Sequence, residues 1–395
     1  MRRLLSIATL YPNAHLPRFG PFVARQMEAL AARGDWEVNV INPIGMPPVP
    51  MGRYKALAEA ANSGMEGGVD VRRLRFNLIP GIGGRFNPAM IVRAVLPLAQ
   101  KLHAAQPFDL IDAQFFYPDG PAAATMAKAL GLPFAIKARG ADISHWGHKR
   151  YALAMMRKAA AQATGLLAVS EALAGDMAEL GLPREKIFVH YTGLNRDVFQ
   201  PMNRDEARRR MAEQFGVRLE KGERLLSCVG ALIARKGQHY VVRALKELPD
   251  THLVLAGSGP DRASLASMTR ELGLERRVHF IGNVDQASLR IVLSASAAMV
   301  LPSASEGLAN AWVEALACGT PLVITNAGGA AELVRTPQAG RIVSRHAAAI
   351  AKGVRDVLAA GYAQHDVAQQ VAGFSWEANA AALAGYYEGL IAPSA

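Results

Sequence analysis

Two carboxylates separated by seven residues, Glu306 and Glu314, lie around the start of a helical apolar pattern. In a helix beginning here, the backbone amides of Gly307, Leu308, Ala309 and Asn310 would have no partner inside it. Such an end carries partial positive charge and suits a phosphate. At about 1.5 Å per residue the helix rises about 9 Å from 308 to 314, roughly the length of a diphosphate plus a ribose. Its tip can therefore hold phosphates while Glu314 accepts hydrogen bonds from sugar hydroxyls. The plain alternative is a capping acid at 306 and a solvated surface carboxylate at 314. Arg235 and Lys236 add two adjacent cations after a strand pattern. Arginine can grip a diphosphate through two parallel bonds and lysine acts as a point charge.

These residues need strand ends to hold them. The apolar run 297–301 reads as a buried strand, 302–307 as a turn-rich loop, 308–318 as a helix stopped by Gly319, and 321–324 as the next strand, broken by Gly328-Gly329. Upstream, strand 225–230 leads into the loop ALIARKG at 231–237. Strand 252–256 leads into Gly257-Ser258-Gly259-Pro260, and strand 278–281 into Gly282-Asn283. A lone Gly-x-Gly is a weak nucleotide signal and is equally a tight turn. The first half repeats the alternation: strand 4–8, a Pro/Gly loop over 11–20, helix 22–33, strand 38–41, then strands at 110–113 and 134–138. Alternation of this kind builds parallel α/β sheets, whose ligands sit at the carboxyl ends of the strands.

With 395 residues, 51% hydrophobic and 19% charged, the chain exceeds single-core size and is not disordered. Cys228 and Cys318 stand in apolar contexts and read as buried free thiols suited to a reducing compartment. The apolar run after Met1-Arg2-Arg3 imitates a secretory leader, yet it is short and lacks a small-residue cleavage site. Since no stretch reaches membrane-spanning length, a cytoplasmic protein is expected. The net charge is +11, with most of the excess before residue 200. Segment 53–101 mixes Arg53, Lys55, Arg72, Arg73, Arg75, Arg85, Arg93 and Lys101 with Met51, Met65, Phe76, Ile79, Ile82 and Phe86. It reads as a mobile candidate for an anionic membrane surface or an acceptor, with ordinary helix faces as the alternative. Nucleic acid is not expected, because no motif for it appears and aromatics are not interleaved with the basic residues.

Glu306 and Glu314, followed by A-x-x-x-G-x-P-L-V-x-T-x-x-G-G, closely resemble the E-x7-E signature of family-four retaining glycosyltransferases of the GT-B fold. Lys236-Gly237 matches the close of that family's V-G-R-L-x-x-x-K-G pattern. Its arginine position is Ala231 here, and Arg235 is the candidate replacement for the missing charge. Arg139-Gly140-Ala141-Asp142 resembles the family's H-G-x-D segment with arginine where histidine usually stands. Arginine stays protonated and cannot act as a general base, although it can hold a phosphate or a sugar hydroxyl. The family's glycine-rich loop is represented by Gly20 alone, and 193–201 resembles the hinge between domains.

The resemblance implies two doubly wound Rossmann-like domains facing a cleft. Residues 1–200 would form the acceptor side and 201–373 the nucleotide-sugar side, with a helix over 374–395 crossing back to the first domain. It further implies a retaining, metal-independent hexosyltransferase with no cofactor, using a nucleotide-diphosphate sugar and a glycan or lipid-linked acceptor. The donor would meet Arg235, Lys236, the 307–310 amides, Glu314 and Gly20, with its base near Asn283 and Val284. Glu306 and Arg139 would act at the transferred sugar. Enzymes of bacterial cell-surface polysaccharide assembly, including teichuronic-acid-type glycosyltransferases, share this arrangement, and location at the inner face of the membrane would follow. The rival readings are a non-catalytic nucleotide-sugar sensor or scaffold and another GT-B enzyme such as a nucleotide-sugar epimerase.

Overall fold

The structure is a computed structural model in which residues 1–78 and 83–392 are described. Ile79 and Ile82 lie outside the described residues, as do 393–395 at the end of the tail. The chain divides into two compact units, Met1–Gly193 with Ser375–Ala395, and Leu194–Phe374.

In the first unit the strands β1 (Arg2–Ile7), β2 (Trp36–Met46), β3 (Gly64–Glu66), β4 (Val69–Asn77), β5 (Leu110–Ala113), β6 (Phe134–Lys137), β7 (Gly165–Ala168) and β8 (Ile187–Val189) form one sheet, ordered β3-β4-β2-β1-β5-β6-β7-β8. Only β3 runs antiparallel. The run that imitated a leader is β1 at the sheet's middle, parallel to β2 and β5. Its residues from Arg3 to Ile7 are buried, because helices cover both faces of a parallel sheet. Helix Pro21–Ala32 lays Val23, Met27 and Leu30 on that core. The tail helix Trp376–Ile391 adds Leu383, Ala384 and Tyr387 to the same cluster.

The basic segment departs from expectation. Residues 69–77 are strand β4, half-buried in alternation beside β2, and not a mobile loop. Arg72 bonds the Asp70 carboxylate at 2.9 Å. Arg73 is 8% exposed and pairs with Glu66, while its Nη2 holds the Pro12 carbonyl at 2.8 Å. Arg75 donates to the Ala58 carbonyl. Three of the eight cations are thus tied into the fold.

The second unit is wholly parallel. It contains β9 (Arg224–Val229), β10 (Thr251–Ala256), β11 (Val278–Gly282), β12 (Ala298–Leu301), β13 (Leu322–Ile324) and β14 (Gly340–Ile342), ordered β11-β10-β9-β12-β13-β14. Loops 230–237, 257–260, 283–285 and 302–309 therefore gather at its carboxyl edge. Cys228 and Cys318 are buried free thiols whose pKa values burial pushes up to about 12, which disfavours the thiolate. Among the described residues no helix is long and apolar enough to cross a membrane.

Candidate active site

The helix carrying Glu314 begins later than its apolar spacing suggests. It runs Asn310–Ala317, with Ala309 extended at ψ 120° as its cap. The reason is a long-range bond: the Gly307 carbonyl, which a helix from 307 would use, accepts from the Gly329 amide at 2.8 Å. Gly307, Leu308 and Ala309 thus form a loop ahead of the helix. Among the described residues the Leu308 and Ala309 amides meet no protein acceptor, which leaves them available at the helix tip.

Gly328 explains why this loop stays close. Its φ is +52°, and a Cβ there would overlap the carbonyls of Glu306 and Gly307. Gly257 and Gly259 are required for a similar reason, since Cβ atoms on them would strike the carbonyls of Gly230 and Leu232. The Gly-x-Gly is thus a close-approach turn that docks two strand ends, tied by the Leu232 amide to the Ser258 carbonyl at 2.9 Å.

At the mouth of these loops, Lys236 Nζ lies 2.5 Å from Glu306 Oε1 and Arg235 Nη1 lies 3.5 Å from Glu306 Oε2. Arg235 also donates to the Ser305 carbonyl. Both cations sit in or beside the turn Ala234–Lys236. Arg345, which the sequence did not single out, braces that turn. Its guanidinium holds the Pro302 and Ala234 carbonyls, each at 2.9 Å, and lies over the Tyr240 ring. Nothing local to residue 345 signals this role.

Glu314 is partly buried, and among the described residues its carboxylate has no hydrogen-bond or ion-pair partner. Burial pushes its pKa up to about 7. A solvated surface carboxylate would not behave so. Further along the edge, Asn283 Nδ2 donates to Ser258 Oγ at 2.8 Å, with Val284 following it. Ser258 is a second missed residue, hidden in what looked like a turn.

The remaining sequence-derived residues belong to the first unit. Gly20 is a buried left-handed cap of helix Pro21–Ala32, and a Cβ on it would lie 2.6 Å from the Leu10 carbonyl. Its glycine identity is accounted for by backbone packing. Arg139 is pinned, not free: its guanidinium donates to Gln114 Oε1 and to the Gln114 carbonyl, and it lies over the Phe22 ring. Burial lowers its pKa to about 10, so it remains charged at neutral pH. Asp142 does more than cap. It accepts from the amides of Phe116, Arg139 and Gly140 at 2.8–3.1 Å, locking together the loops that follow β5 and β6. Below Arg139 lies a buried polar network missed by sequence reading. Lys137 Nζ donates to Gln26 Oε1 at 2.8 Å and meets His190 Nδ1, while Tyr387 donates to Asp112. A lysine inside the apolar run FAIKA was the available signal.

This unit also holds a pocket of about 390 Å³ at the ends of β1 and β2. Thr9, Tyr11, Asn13 and Asn42 supply polar groups; Leu16, Phe19, Leu57, Phe76 and Leu78 supply apolar walls. Asp119 holds Thr9 through both its amide and its hydroxyl, at 2.9 and 2.7 Å.

Two family models divide the chain between them. Residues 19–193 match the glycosyl transferase 4-like domain, and residues 210–372 match glycosyl transferases group 1. Both halves of the chain thus match glycosyltransferase domains. A relative from Bacillus subtilis, the putative teichuronic acid biosynthesis glycosyltransferase TuaC, is 27% identical over 89% of this chain and 88% of its own length. A D-inositol 3-phosphate glycosyltransferase from Mycobacterium marinum is 34% identical over 51% of this chain, which spans 45% of that relative. Among solved structures, sucrose-phosphate synthase from Thermosynechococcus elongatus superposes with a TM-score of 0.80 at 21% identity over the full length of both chains. Anabaena HepE in complex with UDP superposes at 0.74 and 20% identity, covering 98% of this chain and 100% of its own. These likenesses give the glycosyltransferase the GT-B fold. The two parallel sheets are the two halves of that architecture.

Proposed function

We propose that this glycosyltransferase moves a sugar from a nucleotide-diphosphate sugar to an acceptor hydroxyl, with retention and without a metal ion or other cofactor. The observation that carries the reading is Glu314. A partly buried carboxylate without a partner sits on the helix whose tip presents the Leu308 and Ala309 amides, beside Lys236, Arg235 and Glu306. Glu314 accepts from the ribose hydroxyls. The amides at 307–310 and the two cations take the diphosphate, and the base rests by Asn283 and Val284. Glu306 meets the hydroxyls of the transferred sugar, and Arg139 and Gly20 are the first unit's own candidates for substrate contact.

The chemistry follows from charge. As the bond from the anomeric carbon to the diphosphate breaks, negative charge builds on the departing oxygen and positive charge on the sugar. Preorganised donors at that oxygen are then the largest contribution to rate. Lys236 and Arg235 supply the charge a metal would bring. The acceptor oxygen bonds the anomeric carbon on the face the diphosphate leaves, and its proton passes to the departing phosphate oxygen. Retention results without a protein nucleophile.

For the acceptor, the polar floor and apolar walls of the first-unit pocket support a glycan or a lipid-linked hydroxyl compound of cell-surface polysaccharide assembly. Among the described residues most exposed large apolar side chains, including Phe19, Val49, Met51 and Met65, belong to this unit. Together with its basic excess they support a cytoplasmic protein that associates peripherally with an anionic membrane.

Thermal shift of the purified chain against UDP-, GDP- and ADP-sugars, followed by donor hydrolysis with the best hit, tests the reading. One base should stabilise the chain, the shift should vanish in Glu314→Ala, and slow hydrolysis should follow. A shift without turnover, even with lipid-phosphate acceptors added, would instead identify a donor-binding sensor. The arginine at 139 is the observation that favours this second reading. No shift with any donor overturns the assignment.

A further inference from the structure

The second unit has another charged pocket, at the amino edge of its sheet and therefore at the end opposite the donor loops. It encloses about 240 Å³ and is lined by Arg204, Arg208 and Arg224, with Pro321, Val357 and Tyr362. Arg224 opens β9, and Pro321 directly precedes β13. Arg204 and Arg208 stand one turn apart in helix Arg204–Phe215.

The three guanidinium groups have no ion-pair partner among the described residues, and the Nε atoms of Arg204 and Arg208 are buried without an acceptor. The acid at 206 on this helix is engaged by Arg210 at 2.5 Å. Asp205 is exposed and acts on the cluster only at a distance. Burial first, and then the neighbouring guanidinium groups, lower the pKa values of Arg204 and Arg208.

One ordinary explanation is that the arginines offset the end of helix Ala347–Ala360, whose last turn forms a pocket wall. A helix end carries about half a unit of negative charge. Three full charges far exceed it. Moreover, Arg204 occupies the first turn of its own helix, where the partial charge is also positive. Neighbouring like charges, two of them half-buried and none in an ion pair among the described residues, destabilise a fold unless something absent supplies the anion.

We propose that this pocket is a second, separate anion site that binds a phosphoryl group carried by a small molecule or by a phospholipid headgroup. Guanidinium forks match phosphate oxygens with paired bonds. Tyr362, whose hydroxyl accepts from Arg341 Nη2 at 3.1 Å, keeps its own proton available for another phosphate oxygen. Val357 and Pro321 offer apolar contact to whatever the phosphoryl group is attached to. The donor loops take no part, so this site stands or falls independently of the donor reading.

The test uses the full chain at constant ionic strength, with inorganic phosphate as the probe against chloride and with vesicles of phosphatidylglycerol against phosphatidylcholine. Wild type and Lys236→Ala should both show a saturable rise in Tm with phosphate or selective sedimentation with phosphatidylglycerol. Arg204→Gln/Arg208→Gln should lose either response, with affinity falling about tenfold or more. Without anion its Tm should equal or exceed that of wild type, because repulsion has been relieved. Arg224→Gln, at an exposed position, serves as a milder variant should the double one fail to fold. A phosphate response identifies a free phosphorylated ligand, and a vesicle response alone identifies a headgroup. Retention of the response in both variants, or no response of wild type to either probe, overturns the proposal.

Discussion

Lys236 Nζ stands 2.5 Å from Glu306 Oε1, with both side chains largely buried, at 13% and 9% exposure. The cation proposed for the leaving diphosphate is held in place by the acid proposed for the sugar. A pair so enclosed holds the lysine in place, and on the proposed reading such preorganisation would favour the transition state. Lys236→Ala should lower kcat/KM for the donor by about 2–4 kcal/mol. Glu306→Gln frees the cation and should tighten binding of the product nucleoside diphosphate while lowering kcat. Calorimetry with the diphosphate and steady-state kinetics check both, and a Lys236→Ala enzyme with wild-type kcat/KM removes lysine from the leaving-group role.

The carboxyl of Glu314 is raised from 4.5 to about 7 by burial alone. The folded chain holds this proton more tightly than the unfolded one. The resulting stability is complete below pH 4.5 and is lost as pH rises to 7. Glu314→Gln should therefore be more stable than wild type at pH 8, by about 1–2 kcal/mol after allowing for partial exposure, and should lose that advantage at pH 5. Ribose hydroxyls need the ionised form as acceptor, so donor kcat/KM of wild type should rise through pH 7 and that limb should flatten in the variant. Denaturant melts and a pH–rate profile measure the two effects; an unchanged donor KM at pH 8 refutes the ribose contact.

Gly328→Ala combines a left-handed φ with a clash against the Glu306 and Gly307 carbonyls. We expect a cost of about 1–3 kcal/mol in stability and a raised donor KM with acceptor KM unchanged. Equal effects on both substrates would mean that the 306–309 loop does not serve the donor.

Tyr11 lines the first-unit pocket, and its hydroxyl is buried without a partner among the described residues. An unmet buried hydroxyl is unfavourable. Tyr11→Phe should raise stability by about 1 kcal/mol and should raise acceptor KM several-fold while donor KM stays constant. Unaltered acceptor kinetics would place the acceptor elsewhere.

Arg139, lowered only to about 10, does not titrate near neutrality. Arg139→His should introduce a new pH–rate limb at about 6–7 that wild type lacks. If the profiles coincide, position 139 lies away from the reacting sugar.

Much of the architecture was legible from residue order. Apolar runs alternating with helical patterns determine parallel α/β sheets, because only such sheets bury both faces of short strands such as β1 and β9. The types and spacing of Glu306 and Glu314, with two glycines downstream at 328–329, marked a candidate site, but the helical rise counted from 308 did not apply, because 307–309 form a loop ahead of the helix. Tertiary structure decided what depends on contacts between distant residues. It delayed the helix to Asn310 by taking the Gly307 carbonyl for Gly329, coupled Lys236 to Glu306 across seventy residues of chain, and set Arg345 behind both. It also turned the basic stretch at 69–77 into a strand and sealed Arg73 inside. No local pattern could anticipate these outcomes, since each is fixed by which groups the closed fold removes from water and leaves within bonding distance.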